Sequence, residues 1–116
     1  MILNGCFIDT NVLLRLVLYA HPVQSPRAEA LFNLIARGDV AAWLSDTVVF
    51  ETVYVLEKTH RVQRARIAES MLDILGMPSI NYLGAADMDD VFELYTSLGH
   101  LSIADCLHAS LARRLP

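Results

Sequence analysis

The fold of this chain is set by a short stretch near its start, Cys6-Phe7-Ile8-Asp9-Thr10-Asn11. The apolar first half of this stretch is typical of a buried strand. The apolar spacing that follows predicts a helix over residues 11–19. Asp9 therefore stands where a strand ends and a helix begins, which is the edge at which ligands bind in open α/β sheets.

Outward from this stretch, strands and helices alternate along the chain. The first strand is predicted at residues 5–8, and further strands at 41–44 and 80–83, each followed by two helices. The later helices are predicted at about residues 26–37, 47–58, 63–75, 87–98 and 103–114, with Ser25, Ser45 and Ser102 as N-caps of three of them. Strands joined by helical crossovers pair in parallel, so the sequence predicts a layered α/β fold in a single domain.

The composition excludes several classes of protein. The 116 residues are 54% hydrophobic and 19% charged, which indicates a globular domain with a substantial core rather than a disordered chain. The formal net charge of −4 argues against a protein that holds nucleic acid by bulk electrostatic attraction. It does not exclude an enzyme that cuts nucleic acid, because an acidic site gathers metal ions that supply positive charge.

Several features indicate a cytoplasmic protein. No apolar run approaches the roughly 18 residues needed to span a bilayer. The start, Met1-Ile2-Leu3-Asn4-Gly5, has no basic region and no cleavage pattern of a signal peptide. Cys6 and Cys106 lie in apolar settings, which predicts core thiols rather than a disulfide or a nucleophile.

Three acids lie in suggestive settings: Asp9, Glu51 and Asp105. Asp9 is either the cap of the helix that follows or a site residue. Asp105 has capping-box spacing from Ser102 and lies in a first helical turn, where the helix dipole favours an acid. Glu51 belongs to a narrow polar stripe on an apolar helix, and that stripe is either an ordinary solvated face or the wall of a wet cleft.

The chemistry explains why three acids would be gathered in one place. Mg²⁺ and Mn²⁺ are hard ions that prefer carboxylate and water oxygens. Phosphodiester cleavage needs charge neutralised on the phosphate and an activated water, and metal ions held by carboxylates supply both. Crowded carboxylates repel one another, and a divalent cation relieves that repulsion.

In its motifs the chain resembles the PIN-domain ribonucleases, and most closely the VapC-type toxins of prokaryotic toxin–antitoxin pairs. The matching segments are Ile8-Asp9-Thr10-Asn11, residues 45–56, and Ser102-Ile103-Ala104-Asp105-Cys106-Leu107-His108-Ala109. The resemblance covers essentially the whole chain, with the segments in the right order and spacing.

This resemblance implies a three-layer α/β/α sandwich with a parallel sheet. It also implies Mg²⁺- or Mn²⁺-dependent endoribonuclease activity on RNA, a homodimer, and inhibition by a small antitoxin protein. Carried over, Asp9, Glu51 and Asp105 form the acidic catalytic and metal site, with Asp9 and Asp105 as the direct ligands. Asn11 becomes a supporting polar residue. Helices three and four are unusually apolar over residues 48–56 and 67–75, and we expect them to supply a dimer surface and an antitoxin groove.

The family pattern continues beyond the last helix into further strands that carry a fourth acidic or polar site residue. Here the sequence ends at Pro116. We expect the C-terminal strands to be missing from this sequence, because a domain without them would expose a hydrophobic sheet edge. In a naturally shortened relative the site would be incomplete, and the chain would be a PIN-like module that binds RNA or a protein partner. A receiver-like phosphoryl-transfer domain also clusters acids, but it needs a Lys after a late strand, and Lys58 is the only lysine.

Overall fold

A computed structural model describes residues 5–116 of the chain. Strands β1 (Gly5–Phe7), β2 (Ala41–Ser45) and β3 (Ile80–Leu83) form a parallel sheet in the order β1-β2-β3. Together with six α-helices, this sheet makes a mixed α/β fold consistent with the predicted α/β/α architecture, which is thereby confirmed. Residues 1–4, and with them most of the segment examined for a signal peptide, lie outside the described residues.

The helices pack against one another in an order that differs from their order in the chain. They are α1 (Thr10–Leu18), α2 (Gln24–Ala36), α3 (Asp46–Tyr54), α4 (Arg64–Leu75), α5 (Met88–Ser97) and α6 (Ile103–Arg113). Spatial neighbours run α2–α1–α3–α6–α5–α4. Helix α3 therefore lies between α1 and α6, so the helix of Glu51 separates the helices that begin beside Asp9 and Asp105.

The predicted cap of α2 is wrong. The helix begins at Gln24, one residue before Ser25, and Ser25 is buried inside its first turn. Nδ1 of His21 accepts the backbone N–H of Gln24 at 2.9 Å and that of Val23 at 3.2 Å, so the imidazole takes the capping role. The Ser25 hydroxyl instead accepts the backbone N–H of His21 at 3.1 Å. Pro26 fits in this first turn because the N–H that it lacks has no partner within the helix.

Gly38 closes the carboxyl end of α2. Gly38 has a left-handed φ of +81°. Its N–H donates to the carbonyl of Ile35 at 3.0 Å, and the N–H of Asp39 donates to the carbonyl of Leu34 at 2.9 Å. This pair of bonds is the Schellman motif, which satisfies carbonyls at the helix end and needs a residue that tolerates positive φ.

The third predicted helix is not one continuous α-helix. It changes at Val55–Thr59 into a π-helical turn, called the π turn below, in which the N–H of His60 donates to the carbonyl of Val55 at 3.2 Å. This turn places Glu57 beside Arg64 of α4 and Tyr95 of α5. A local change in helical pitch of this kind has no signature in apolar periodicity, so the sequence did not indicate it.

The apolar side chains of α3 and α4 lie mostly in the core. Val49, Val53 and Ile67 are fully buried, and Met71 is nearly so. Burial thus accounts for most of the apolar character of these helices, while Tyr54 of α3 is 60% exposed. The dimer surface and antitoxin groove predicted on α3 and α4 stay predictions.

Within the described residues, β1 pairs with β2 alone and forms an edge of the sheet. Phe7 on this strand is 77% exposed, and its ring lies 5.9 Å from that of Trp43 on β2. Both cysteines are free thiols, and burial raises the pKa of Cys6 and of Cys106 above their ordinary values, as expected of core thiols. Across residues 5–116, each helix is too short or too polar to cross a membrane.

Candidate functional site

Asp9 lies at the carboxyl edge of the sheet, and Ile8, the residue before it, is still hydrogen-bonded to the neighbouring strand. The N–H of Ile8 donates to the carbonyl of Trp43 at 3.0 Å, one residue beyond β1. Asp9 follows as the N-cap of α1, and its Oδ1 accepts the N–H of Val12 at 2.9 Å. The capping role predicted for Asp9 is therefore confirmed. The side chain is exposed, so capping leaves its second carboxylate oxygen open to solvent.

Glu51 lies on the exposed side of α3. The polar stripe predicted for this helix is confirmed, because Thr47, Glu51, Tyr54 and Lys58 are all exposed. In the part of the chain that the structure describes, the Glu51 carboxylate has no ion pair and accepts no hydrogen bond. It is therefore available to a ligand in solution.

Asp105 makes only half of the predicted capping box. The Ser102 hydroxyl accepts the N–H of Asp105 at 3.1 Å, which confirms Ser102 as the N-cap of α6. The Asp105 carboxylate does not accept the N–H of Ser102 in return. The exposed Asp105 carboxylate lies in the first turn of α6, where the helix dipole favours its charge.

The structure places the three predicted acids on neighbouring helices but does not gather them into a cluster. Helix α3 packs against both α1 and α6. Nevertheless, within residues 5–116 no three side chains of the His, Cys, Asp and Glu types are grouped closely enough to hold a metal ion. Carboxylate oxygens are the kind of donor that a hard divalent cation prefers. Among the described residues the ion pairs engage Asp39, Glu57 and Asp90, so the three predicted acids have no ion-pair partner.

A cleft of about 410 Å³ opens beside Asp9, between α1 and α2. Its polar lining residues are Asp9, Asn11, Arg15, Gln24 and Arg27. The sequence reading identified the first two as site residues and missed the other three. One signal was present: Arg15 interrupts an apolar helix and stands four residues after Asn11, which puts both on one face of α1.

The arginines that lie close together in sequence are not equivalent in the structure. Arg64 is half-buried and forms an ion pair with Glu57 at 3.1 Å, so its charge is already compensated. Arg61 and Arg66 are exposed. The cationic groups that line the cleft beside Asp9 are instead Arg15 of α1 and Arg27 of α2.

Comparison with known proteins gives one match. No curated protein and no solved structure matches the chain. The family model of the PIN domain matches residues 6–115, which is nearly the whole sequence and includes all three predicted acids. The chain therefore belongs to the PIN domain family, whose members are generally nucleases that use divalent metal ions.

Proposed function

We propose that this protein is a Mg²⁺- or Mn²⁺-dependent endoribonuclease of the VapC type, the toxin of a type II toxin–antitoxin pair. The observation that carries the proposal is the position of three uncompensated carboxylates, Asp9, Glu51 and Asp105, on adjoining helices of a PIN domain. An exposed carboxylate without an ion pair stabilises the fold only slightly, through capping at Asp9 and through the helix dipole at Asp105. Three of them on neighbouring elements therefore point to a ligand.

In this proposal Asp9 and Asp105 are the direct metal ligands, and Glu51 completes the acidic site. Held by these carboxylates, a divalent ion would supply positive charge to the scissile phosphate and would help to activate a water. The role of the protein in this proposal is to position the carboxylates. The hydrogen bond that the Val12 N–H donates fixes the Asp9 carboxylate relative to α1. The Glu51 side chain, free of partners among the described residues, has the freedom to turn towards an ion. Asn11, in the cleft beside Asp9, offers an amide to a phosphate oxygen.

Cleavage of a labelled single-stranded RNA tests this proposal. We expect cleavage with Mg²⁺ or Mn²⁺, none with EDTA, and none by Asp9→Asn or Asp105→Asn. A matched control is Asp73→Asn, which removes an exposed acid from α4. Cleavage by a clean Asp9→Asn preparation at the wild-type rate would contradict the proposal.

A second function is favoured by the separation of the acids. Because no three potential ligands within residues 5–116 are grouped for a metal ion, a PIN-like module that binds RNA or a protein without cutting is the alternative. It predicts no heat of Mg²⁺ or Mn²⁺ binding by calorimetry. A micromolar-to-millimolar site that Asp105→Asn removes and Asp73→Asn retains would exclude it.

The partners in the proposal are a second copy of the chain and a small antitoxin. Light scattering across a range of protein concentrations tests the homodimer, and a monomer at high concentration would contradict it. Growth of the producing cells tests the toxin role. Induction of the wild-type protein should arrest growth, Asp9→Asn should not, and a small protein encoded beside the toxin should restore growth when it is expressed together with it.

A further inference from the structure

The cleft beside Asp9 has the size and the lining of a ligand site. Its volume of about 410 Å³ falls in the range of small-molecule pockets, which is roughly 300–1,000 Å³. One side carries the polar groups of α1 and α2. Val12 and Leu31, both half-buried, supply apolar surface on which a ribose or a base can pack. Asp9 and Asn11, two residues of the proposed site, are among its lining residues.

Two guanidinium groups in this cleft lack an acidic partner. Within residues 5–116, the ion pairs with N–O separations of 4.0 Å or less involve Arg37, Lys58, Arg64 and Arg113 but neither Arg15 nor Arg27. This is notable in a chain whose formal net charge is −4, since acids are in excess. Arg15 and Arg27 line the cleft without such an ion pair, so their charge is available to an anion that enters it.

The contacts of Arg15 show which of its nitrogens can bind an anion. Its Nε donates to Oε1 of Gln24 at 2.8 Å, which joins α1 to α2 and fixes the guanidinium plane. Both terminal nitrogens stay available, and a guanidinium held in this way suits bidentate contact with phosphate. Arg27 is exposed on α2 and lines the same cleft, so it provides a second cation with greater freedom of movement.

We propose that this cleft is a nucleotide subsite for the RNA strand, in which Arg15 and Arg27 each bind a phosphate close to the one that is cut. The inference rests on the proposed function for the identity of the ligand, single-stranded RNA. Its physical reason is electrostatic. The acids of the cutting site repel a phosphodiester, and two cations on the flank of that site hold the strand in register against this repulsion.

Binding of a short fluorescent single-stranded RNA, measured by anisotropy over a series of salt concentrations, tests the subsite. Asp9→Asn serves as the background so that the strand is not cut. Each phosphate contact on a single strand contributes about 0.7 to the slope of log K against log salt, so losing one weakens binding about fourfold near 0.15 M salt. We expect this change for Arg15→Gln and for Arg27→Gln, and none for the control Arg66→Gln, an exposed arginine of α4.

Two readouts separate a binding role from a structural one. Arg15→Gln also removes the bond to Gln24, so thermal unfolding of each variant is measured beside binding. Arg27 makes no side-chain hydrogen bond within the described residues, and Arg27→Gln therefore tests the subsite without that complication. In the cleaving protein, both variants should raise KM for RNA and leave kcat nearly unchanged.

The outcomes distinguish this inference from the proposed function. RNA cleavage by the wild type together with equal salt slopes for Arg15→Gln, Arg27→Gln and Arg66→Gln would overturn the subsite and leave the nuclease standing. Absence of cleavage together with reduced slopes for the two cleft variants would overturn the nuclease and support the subsite, now as part of an RNA-binding module.

Discussion

The hydroxyl of Tyr95, on α5, donates a 2.6 Å hydrogen bond to Oε1 of Glu57 in the π turn. Arg64 of α4 completes the contact: its Nη2 lies 3.1 Å from Oε2 of Glu57, and its Nη1 donates to the carbonyl of Tyr95 at 2.9 Å. The guanidinium carbon also stands 4.2 Å from the centre of the Tyr95 ring. These contacts connect the π turn, α4 and α5 through one carboxylate.

Tyr95→Phe is expected to destabilise the protein. Phenylalanine keeps the buried ring and its contact with Arg64 but leaves one carboxylate oxygen of Glu57 without its donor. A hydrogen bond to a charged group contributes about 1.5–3 kcal/mol, so the free energy of unfolding should fall by that amount in urea titrations. Tyr54→Phe, at an exposed tyrosine, is the matched control and should change little. Equal stabilities for the two variants would show that the bond contributes nothing.

The same contact makes stability depend on pH. Desolvation by partial burial acts to raise the pKa of Glu57, but the hydrogen bond from Tyr95 and the positive charge of Arg64 outweigh it and hold this pKa below its ordinary value of 4.5. Because the folded pKa is depressed, the stabilisation is fully present above the ordinary value and is lost as pH falls through the lower, folded one.

Measurement of the Glu57→Gln variant checks this sign. The difference in unfolding free energy between the wild type and Glu57→Gln should be largest near about pH 7 and should shrink towards about pH 3. Glu93→Gln, at an exposed acid of α5, is the control and should show a small difference at every pH. A Glu57 difference that grows on acidification would contradict a depressed pKa.

Two substitutions of Asp9 should separate its capping role from its catalytic role. Asparagine caps helices about as well as aspartate, so Asp9→Asn should abolish cleavage while the stability stays nearly that of the wild type. Asp9→Ala removes the acceptor of the Val12 N–H as well and should cost about 1 kcal/mol of unfolding free energy in addition. Ser45→Ala provides a capping control on α3, where the N–H of Val48 loses its acceptor. A stable, fully active Asp9→Ala protein would exclude both roles.

Gly38→Ala should destabilise the protein through backbone conformation alone. An added Cβ would meet only Ser79 Oγ, at 3.8 Å, so steric contact is not the reason. Holding a residue with a Cβ at a left-handed φ costs about 1–2 kcal/mol, which thermal or urea unfolding will measure. Gly99→Ala is the control, since its Cβ would meet nothing within 4 Å and its φ is not in the left-handed region. We expect it to be neutral or slightly stabilising.

Much of the fold follows from signals that act over a few residues. The caps at Asp9, Ser45 and Ser102 are right because each bond joins residues three positions apart. Ser25 is not the cap because the helix begins one residue before it, where the His21 imidazole accepts the N–H groups of Val23 and Gln24. The sequence pattern does not show which of two nearby acceptors marks the first turn.

The site was less accessible to sequence reasoning because it depends on how helices meet. The helical periodicity predicted that Glu51 lies on an exposed stripe, but it does not give the distance between Asp9 and Asp105. The cleft arises where α1 and α2 pack together, and from the sequence alone Arg27 is an ordinary solvated cation. Arg64 shows the converse: in the sequence it is one of three closely spaced arginines, and the π turn supplies Glu57 as its partner.

The pairing of Phe7 with Trp43 at the sheet edge gives this molecule a built-in optical reporter. Trp43 is the only tryptophan in the sequence, and Gly5 on β1 leaves the room that its ring occupies. Tryptophan emission therefore comes from one place, next to β1, which is an edge strand within residues 5–116. Any strand that lies along β1 would remove water from Phe7 and the indole and would shift the emission to shorter wavelength, so occupancy of this edge is measurable without a label.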